Sequence, residues 1–351
     1  MTKLGILDQS PIKEGSSAAA ALHETIALAK ACERFGYTRY WVAEHHNTSS
    51  FAGSAPEILI TRIASETTHI RVGSGGIMLP HYSPLKVAEC FQMLATLYPG
   101  RIDLGLGRAP GTDPRTSAAL QPGPKAYPID VFPQQIDLLR HFLADDFADD
   151  HPYRGIHAMP RSPEHPEMWM LGSSLQGALF AAEFGLPFCH AHFINPGETA
   201  RVIDLYREKF RPSATLAEPY ATLGVAVLAA DTDAAAHHIG KSRNLWVTQL
   251  LTGNRGRFVS PEAVDDYRFS AQESSIYTSV EQRGISGTGE TCKIQLGELG
   301  QAHGIDEFIL LTITYDPADR VRSYELIAQA LDLANPVAQN PPNAKAKADK
   351  P

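Results

Sequence analysis

The chain has 351 residues, of which 43% are hydrophobic and 20% are charged, so it can bury a large core and is neither disordered nor fibrous. Its net charge of -8, with no basic cluster interleaved with aromatic residues, excludes the usual features of a nucleic-acid-binding protein. No apolar run reaches membrane-spanning length, the N-terminus lacks the pattern of a secretion signal, and the four cysteines form no C-x-x-C pair. These features predict a cytoplasmic protein without a membrane partner.

Eight short apolar runs predict β-strands, and they cover residues 3–7, 40–42, 70–73, 102–106, 168–171, 187–191, 221–229 and 307–311. Helical periodicity lies between them, at residues 18–35, 56–67, 84–97, 175–184, 199–210, 234–251 and 318–333. Alternation of strands and helices predicts a parallel α/β sheet. Eight such units favour a closed (β/α)8 TIM barrel over a doubly wound open sheet, although periodicity does not exclude the second fold.

Two segments are longer than a minimal barrel requires. Residues 145–166, rich in Pro, Asp and His, predict an insertion before the fifth strand. Residues 253–289 contain five glycines and predict a long, mobile lid loop before the eighth strand. We expect a single domain over residues 1–335, followed by a flexible tail at 336–351.

In a barrel of this kind the active site lies at the C-terminal ends of the strands, where the second strand is followed by Glu44-His45-His46. A neutral imidazole with a pKa near 6.5 can transfer protons at cellular pH, although two hydrogen-bonded structural histidines are an equal alternative. Because adjacent residues of an extended chain point to opposite sides, at most one of the two is expected to face the barrel centre.

Glycines follow the third and fourth strands. In Gly73-Ser74-Gly75-Gly76 the missing side chains would let a planar ligand lie against the backbone, or would simply form a tight turn. The stretch 105–111 has a proline at the third glycine of a dinucleotide-binding loop, so we reject that interpretation. Its Arg108 is a permanent cation suited to a phosphate or a flavin carbonyl, or to a structural salt bridge.

The fifth strand ends in Gly172-Ser173-Ser174, which opens a helix. Free backbone N–H groups and two hydroxyls there can bind a phosphate, or a serine can cap the helix. After the sixth strand, His190 and His192 have the spacing of a metal-dependent hydrolase. Because no companion lysine or aspartate is evident at matching strand ends, no metal site is predicted.

Taken together, Glu44-His45-His46 and the segments 73–80 and 100–108 resemble, in this order, the bacterial luciferase-like flavin-dependent monooxygenases. The resemblance extends over nearly the whole barrel, from residue 5 to the last strand. It implies an enzyme that takes reduced FMN from a separate flavin reductase and uses O2. By way of a flavin C4a-hydroperoxide it would oxygenate a small organic substrate, such as an aldehyde. A homodimer is also implied.

The resemblance assigns roles to particular residues. His45 takes the place of the catalytic histidine, and Gly75-Gly76 matches a non-prolyl cis peptide beneath the isoalloxazine ring, with Ser74 beside it. The remaining flavin and phosphate contacts would be Arg108, Gly172, Ser173, Ser174 and Gln176. The luciferase itself has alanines at the two glycines and an acidic residue at the place of Ser173, so these contacts are expected to differ in detail.

Two alternatives use the same barrel. One is a deazaflavin (F420)-dependent oxidoreductase, which exchanges hydride without oxygen, and the other is a flavin-binding protein without catalysis. The histidine pair favours FMN, and the presence of His45, Arg108 and a lid-length segment favours an enzyme. Phe51 and Met78 predict an apolar substrate chamber, but the sequence does not identify the substrate.

Overall fold

The computed structural model describes residues 2–109, 111–121, 129–254 and 256–333. The strands are β1 (Lys3–Asp8), β2 (Arg39–Val42), β3 (Arg71–Met78), β4 (Ile102–Gly107), β5 (Glu167–Gly172), β6 (Phe188–Ala191), β7 (Ala221–Ala229), β8 (Ile285–Gly287) and β9 (Glu307–Leu311). The helices are α1 (Ala18–Phe35), α2 (Pro56–Glu66), α3 (Pro84–Leu97), α4 (Pro114–Leu120), α5 (Phe132–Ala144), α6 (Leu175–Glu183), α7 (Thr199–Lys209), α8 (Asp233–Leu251), α9 (Pro261–Asp265), α10 (Ala271–Arg283), α11 (Gly289–His303) and α12 (Pro317–Ala330).

The strands form a closed parallel barrel. Their order is β6-β5-β4-β3-β2-β1-β9-β7, and pairing of β6 with β7 closes the ring. This closure confirms the predicted (β/α)8 fold and excludes the open doubly wound sheet. The short strand β8 lies outside the ring and pairs only with the last three residues of β7.

The alternation of side chains along each strand separates two of the three hydrophobic clusters of the described residues. Residues such as Leu4 and Ile6 of β1 point outward and pack with the helices in the larger core. Leu7 points inward and joins a second cluster inside the barrel, together with Trp41, Trp169, Cys189 and Ile309. The centre of the barrel is therefore packed, and space for a ligand can remain only towards its ends.

Charged residues fill the N-terminal end of the barrel. Asp103 of β4 is fully buried and accepts hydrogen bonds from Arg39 at 2.8 Å and from the indole nitrogen of Trp41 at 2.9 Å. The Nε of Arg71 donates to the same carboxylate at 2.8 Å, and Arg39 also pairs with Glu307 at 2.6 Å. This buried ion-pair network closes the end of the barrel opposite the predicted site.

The structure corrects the expectation for residues 253–289, which are not one long loop. They contain α9, α10 and β8, and α10 begins with a capping box in which Ser270 and Glu273 exchange hydrogen bonds. Several of the glycines that predicted a loop lie instead at the ends of these elements. Residues 145–166, by contrast, contain no helix or strand and precede β5. The predicted tail at 336–351 lies outside the described residues.

Candidate active site

A cavity of about 450 Å³ opens at the C-terminal ends of the barrel strands. Its floor is the inner core, with Leu7, Trp41 and Ile309, and its walls include Phe180 and Phe193. We call it the glycine-lined cavity, because the following glycines border it: Gly75, Gly76, Gly107, Gly172, Gly177 and Gly224. Its size lies within the range of roughly 300–1,000 Å³ that is usual for small-molecule sites.

Small residues at the strand ends create this space. A β-carbon on Gly224 would lie 3.1 Å from the Phe193 ring, and one on Gly107 would lie 3.2 Å from the sulfur of Met78. The bond between Gly75 and Gly76 is cis, which confirms the predicted conformation. A flat, largely apolar ligand fits against these backbones.

Polar groups that suit a phosphate border the same cavity. Arg108 is half-buried and, among the described residues, has no acidic partner. Ser173 and Ser174 lie at the start of α6, whose first backbone N–H groups have no intrahelical acceptors. The hydroxyl of Ser174 does not cap the helix, so the alternative of a simple serine cap is not realised. This set of donors fits the phosphate of a flavin mononucleotide.

Two of the predicted contact residues do not line the cavity. The side chain of Ser74 is fully buried and donates to the carbonyl oxygen of Gly105 at 2.9 Å, because alternation along β3 points Gly73 and Gly75 inward and Ser74 outward. Gln176 is exposed on the surface of α6. The geometry therefore gives neither side chain a contact with a ligand in the glycine-lined cavity.

A second cavity of about 450 Å³, the histidine chamber, shares Phe193 and Ile194 with the first. Both His45 and His46 border it. The two rings have different neighbours, because the ring of His45 lies 4.5 Å from that of Phe51, whereas Nε2 of His46 lies 2.7 Å from the Glu44 carboxylate. Phe51 lines this chamber as predicted, whereas Met78 lines the glycine-lined cavity.

His45 is held as a neutral base. Its backbone N–H donates to Gly53, its ring lies 4.5 Å from the ring of Phe51, and its Nδ1 is buried without a hydrogen-bond partner among the described residues. Burial lowers the pKa of His45 to about 4, and the nearby Glu44 carboxylate only partly opposes this. A neutral imidazole with a free nitrogen can accept a proton from a reacting group in the chamber.

Glu44, to which the sequence assigned no role, organises the neighbouring histidine. Its buried carboxylate accepts hydrogen bonds from His46 at 2.7 Å, from the Tyr82 hydroxyl at 2.7 Å and from the Met78 backbone at 2.9 Å. It thereby connects the ends of β2 and β3. A glutamate followed directly by the two histidines is the one sequence signal that could have indicated this role.

His190 and His192 do not form a metal site. His190 is fully buried and its Nε2 lies 3.3 Å from the carbonyl oxygen of Asn195, while Nδ1 of His192 lies 2.7 Å from the hydroxyl of Thr199. Among the described residues, no three His, Cys, Asp or Glu side chains are grouped to hold a metal ion. Both histidines instead fasten the connection between β6 and α7.

The buried histidines should make the protein less stable in acid. Burial lowers the pKa of both His45 and His190 from 6.5 to about 4, so between these values the unfolded chain binds more protons than the folded one. The free energy of unfolding should fall as pH decreases below about 6.5, and one fully buried histidine contributes about 2 kcal/mol of that loss by roughly pH 5. Urea unfolding at a series of pH values measures the slope.

The test variant is His190→Gln, and the control is His23→Gln, at an exposed position of α1. The pH slope should become shallower in His190→Gln and stay unchanged in His23→Gln. Equal slopes in all three proteins would show that His190 is not held neutral by folding.

Comparison with a family model and with known proteins gives matches over most of the chain. The family model described as luciferase-like monooxygenase matches residues 2–307. The chain is 44% identical to YwcH of Bacillus subtilis, covering 94% of this chain and 99% of that protein. It is 39% identical to a luciferase-like monooxygenase of Escherichia coli K12 (92% and 94% covered) and 39% identical to the N-acetyl-S-alkylcysteine monooxygenase of Bacillus subtilis (94% and 98% covered).

Solved structures share the fold. Apo-MsnO8 superposes with a TM-score of 0.84 at 36% identity, covering 95% of this chain and 99% of that one. An FMN complex of the oxygenating constituent of 3,6-diketocamphane monooxygenase from Pseudomonas putida has a TM-score of 0.68 at 19% identity (95% and 99%). An F420-dependent secondary alcohol dehydrogenase has a TM-score of 0.67 at 15% identity (95% and 98%). No helix in the described ranges has the length and apolar character needed to cross a bilayer.

Proposed function

The chain belongs to the luciferase-like monooxygenase family, and from this premise we propose that it is a flavin-dependent monooxygenase that uses reduced FMN and O2 to oxygenate a small organic substrate. The observation that carries the proposal is the pair of adjoining cavities. One offers an anion site and a flat glycine floor, and the other contains a neutral histidine. Their shared wall, Phe193 and Ile194, brings a bound ring system next to a bound substrate.

Each cavity has a separate task. Arg108, Ser173, Ser174 and the N–H groups at the start of α6 would hold the phosphate of a bound flavin, and Gly75 and Gly76 would lie against its ring. When bound, reduced FMN supplies two electrons, so that one atom of O2 enters the substrate and the other leaves as water. His45 would accept and return a proton through its neutral imidazole, while the aromatic walls of the histidine chamber exclude water.

The names of the relatives support an oxygenase but do not identify the substrate. One relative is an N-acetyl-S-alkylcysteine monooxygenase, so an N-acetyl-S-alkylcysteine is the first substrate to assay, followed by aldehydes. The fold alone does not select the cofactor, because one structural neighbour contains FMN and another an F420 adduct. F420 is therefore the alternative that a binding experiment must decide.

The decisive experiment is an anaerobic titration of the protein with reduced FMN and, separately, with reduced F420. We expect tight binding of reduced FMN, and we expect Arg108→Gln to weaken it roughly 10- to 100-fold, because a charge-assisted contact with phosphate contributes about 1.5–3 kcal/mol. Arg268→Gln removes the same charge at an exposed position outside both cavities and should change the affinity less than twofold. Binding of reduced F420 but not of reduced FMN would overturn the cofactor assignment.

We also propose the partners that this function requires. The reduced flavin would come from a separate flavin reductase, as the resemblance to the family implies. A homodimer is supported by exposed apolar side chains on the neighbouring helices α2 and α3, where Ile58, Met93 and Leu97 are 70%, 53% and 58% exposed. The free cysteines support a reducing, cytoplasmic location.

Residues 253–289 support the proposal of a lid in revised form. Asn254 and Arg283 border the histidine chamber and stand at the two ends of the stretch that contains α9 and α10. We propose that this segment covers the substrate during turnover.

A further inference from the structure

The histidine chamber has an unusual distribution of charge for a protein with a net charge of -8. Two arginines, Arg243 and Arg283, border it, and none of its described lining residues is acidic. The rest of the wall is largely apolar or aromatic, including Phe51, Trp246, Leu250 and Ile313. The chamber therefore combines positive charge with an apolar surface, as a receptor for an amphiphilic anion would.

Arg243 is the more significant of the two arginines. It lies on α8 and is half-buried, and its Nε is fully buried without a hydrogen-bond partner among the described residues. Its Nη1 makes one long contact, 3.5 Å from the side-chain oxygen of Asn244. Among the described residues, no carboxylate forms an ion pair with it. Arg283, in contrast, is exposed at the rim.

The nearest acidic candidate does not compensate this charge. Glu281 borders a small cavity of about 70 Å³ behind Arg243; its Oε1 lies 3.1 Å from Nδ1 of His237 but is buried without a hydrogen-bond partner in the described part of the chain, and it forms no ion pair with Arg243. Burial alone lowers the pKa of Arg243 to about 10, with no opposing contribution from a neighbouring carboxylate. Even so, the group stays protonated at neutral pH. A folded protein rarely retains an unpaired buried cation unless a ligand pairs with it.

We propose that Arg243 is a substrate-binding residue that pairs with a carboxylate, so that the oxygenated substrate is a carboxylic acid with an apolar chain. The guanidinium group matches a carboxylate in a two-point hydrogen-bonded pair, and the apolar walls accommodate the chain. The carboxylate end would be held on α8, with the chain extending between the aromatic side chains. This inference rests on the proposed function for the identity of the reaction, but not for the anion site itself.

The test compares two ligands of nearly equal shape, hexanoate and its neutral analogue hexanamide. Their dissociation constants are measured by calorimetry at neutral pH, with the protein alone and with the protein loaded with FMN. We expect the wild-type protein to bind hexanoate at least tenfold more tightly than hexanamide. Because no oxygen or turnover is involved, the result is independent of whether the enzyme proves to use FMN or F420.

Four variants locate the effect, and one of them, Arg283→Gln, removes the charge at the exposed rim and should keep the preference for hexanoate. Arg243→Gln should lose at least tenfold in hexanoate affinity and keep its hexanamide affinity within twofold, and Arg243→Lys should show an intermediate loss because the charge remains without the planar fork. Arg268→Gln should bind both ligands as the wild-type protein does. Since Arg243→Gln removes an unpaired buried charge, its thermal midpoint should be unchanged or higher, which separates loss of binding from loss of folding.

Two outcomes would overturn the proposal. The first is a wild-type protein that binds hexanoate and hexanamide equally well. The second is an Arg243→Gln variant that keeps the preference for the acid, or a preference that disappears only in Arg283→Gln, which would place anion binding at the exposed rim. Failure of the reduced-FMN titration would leave these results in place, so the two hypotheses can fail separately.

Discussion

Replacing His45 with alanine should lower kcat by roughly 10²- to 10⁴-fold, the range typical for removal of a general acid or base. The structure supports this size of effect because His45 borders the histidine chamber, and burial keeps its imidazole neutral and able to accept a proton. The affinity for reduced FMN should change less than twofold, because His45 borders the histidine chamber and not the glycine-lined cavity. The loss of rate is measured as product formation from reduced FMN, O2 and an N-acetyl-S-alkylcysteine in a single turnover. The affinity for reduced FMN is measured by the anaerobic titration.

The matched control is His23→Ala, at an exposed position of α1, which should react like the wild-type protein. His46→Gln tests the neighbouring histidine, which is hydrogen-bonded to the Glu44 carboxylate. If His46→Gln abolished turnover and His45→Ala did not, the proton-transfer role would belong to His46. If His45→Ala lost flavin binding together with turnover, the separation of tasks between the two cavities would be wrong.

Replacing Asp103 with alanine should lower the free energy of unfolding by about 3–5 kcal/mol, because it leaves buried charges without their partner. The Asp103 side chain is fully buried and accepts hydrogen bonds from Arg39, Trp41 and Arg71. The side chain of Arg39 is itself almost completely buried. Burial disfavours the charged form of Arg39, but the carboxylates of Asp103 and Glu307 more than offset this and raise its pKa. Without Asp103, Arg39 would keep its ion pair with Glu307, but Arg71 would lose its shortest ion pair.

Urea unfolding followed by circular dichroism measures this loss. The control is Asp149→Asn, since Asp149 is 97% exposed and lies 3.2 Å from Arg154, a surface ion pair that contributes about 0–1 kcal/mol. A loss below about 1 kcal/mol for Asp103→Ala would mean that the network at the N-terminal end of the barrel contributes little to stability.

The barrel could be predicted because its signals are local. Apolar runs and helical periodicity located all eight barrel strands, and the closed ring confirms them. The strand β8 was missed because it has three residues, no apolar run and one pairing partner, β7. The helices α9 and α10 were missed because nearby glycines suggested a loop, although the Ser270 and Glu273 pair of the capping box was readable.

The candidate site was predicted in part. Arg108, Gly75 and Gly76, Gly172, Ser173 and Ser174 border one cavity, and His45 borders the next. Ser74 and Gln176 were assigned from their neighbours in the chain, but their side chains point elsewhere. The alternation of side chains along β3 could have excluded Ser74 as a ligand contact, but only if the register of β3 in the barrel had been known.

By itself, the sequence determined the alternation of strands and helices, the small residues at the strand ends, and the presence of a histidine and an arginine in the loops after β2 and β4, and the structure added the closure of the barrel. Only the tertiary structure decided which charges are paired. Asp103 meets Arg39 from 64 residues away and Arg71 from 32, whereas Arg243 meets no carboxylate among the described residues. The physical reason is that hydrophobic periodicity is a pattern of residues close in the chain, while burial and ion pairing depend on residues brought together from distant strands.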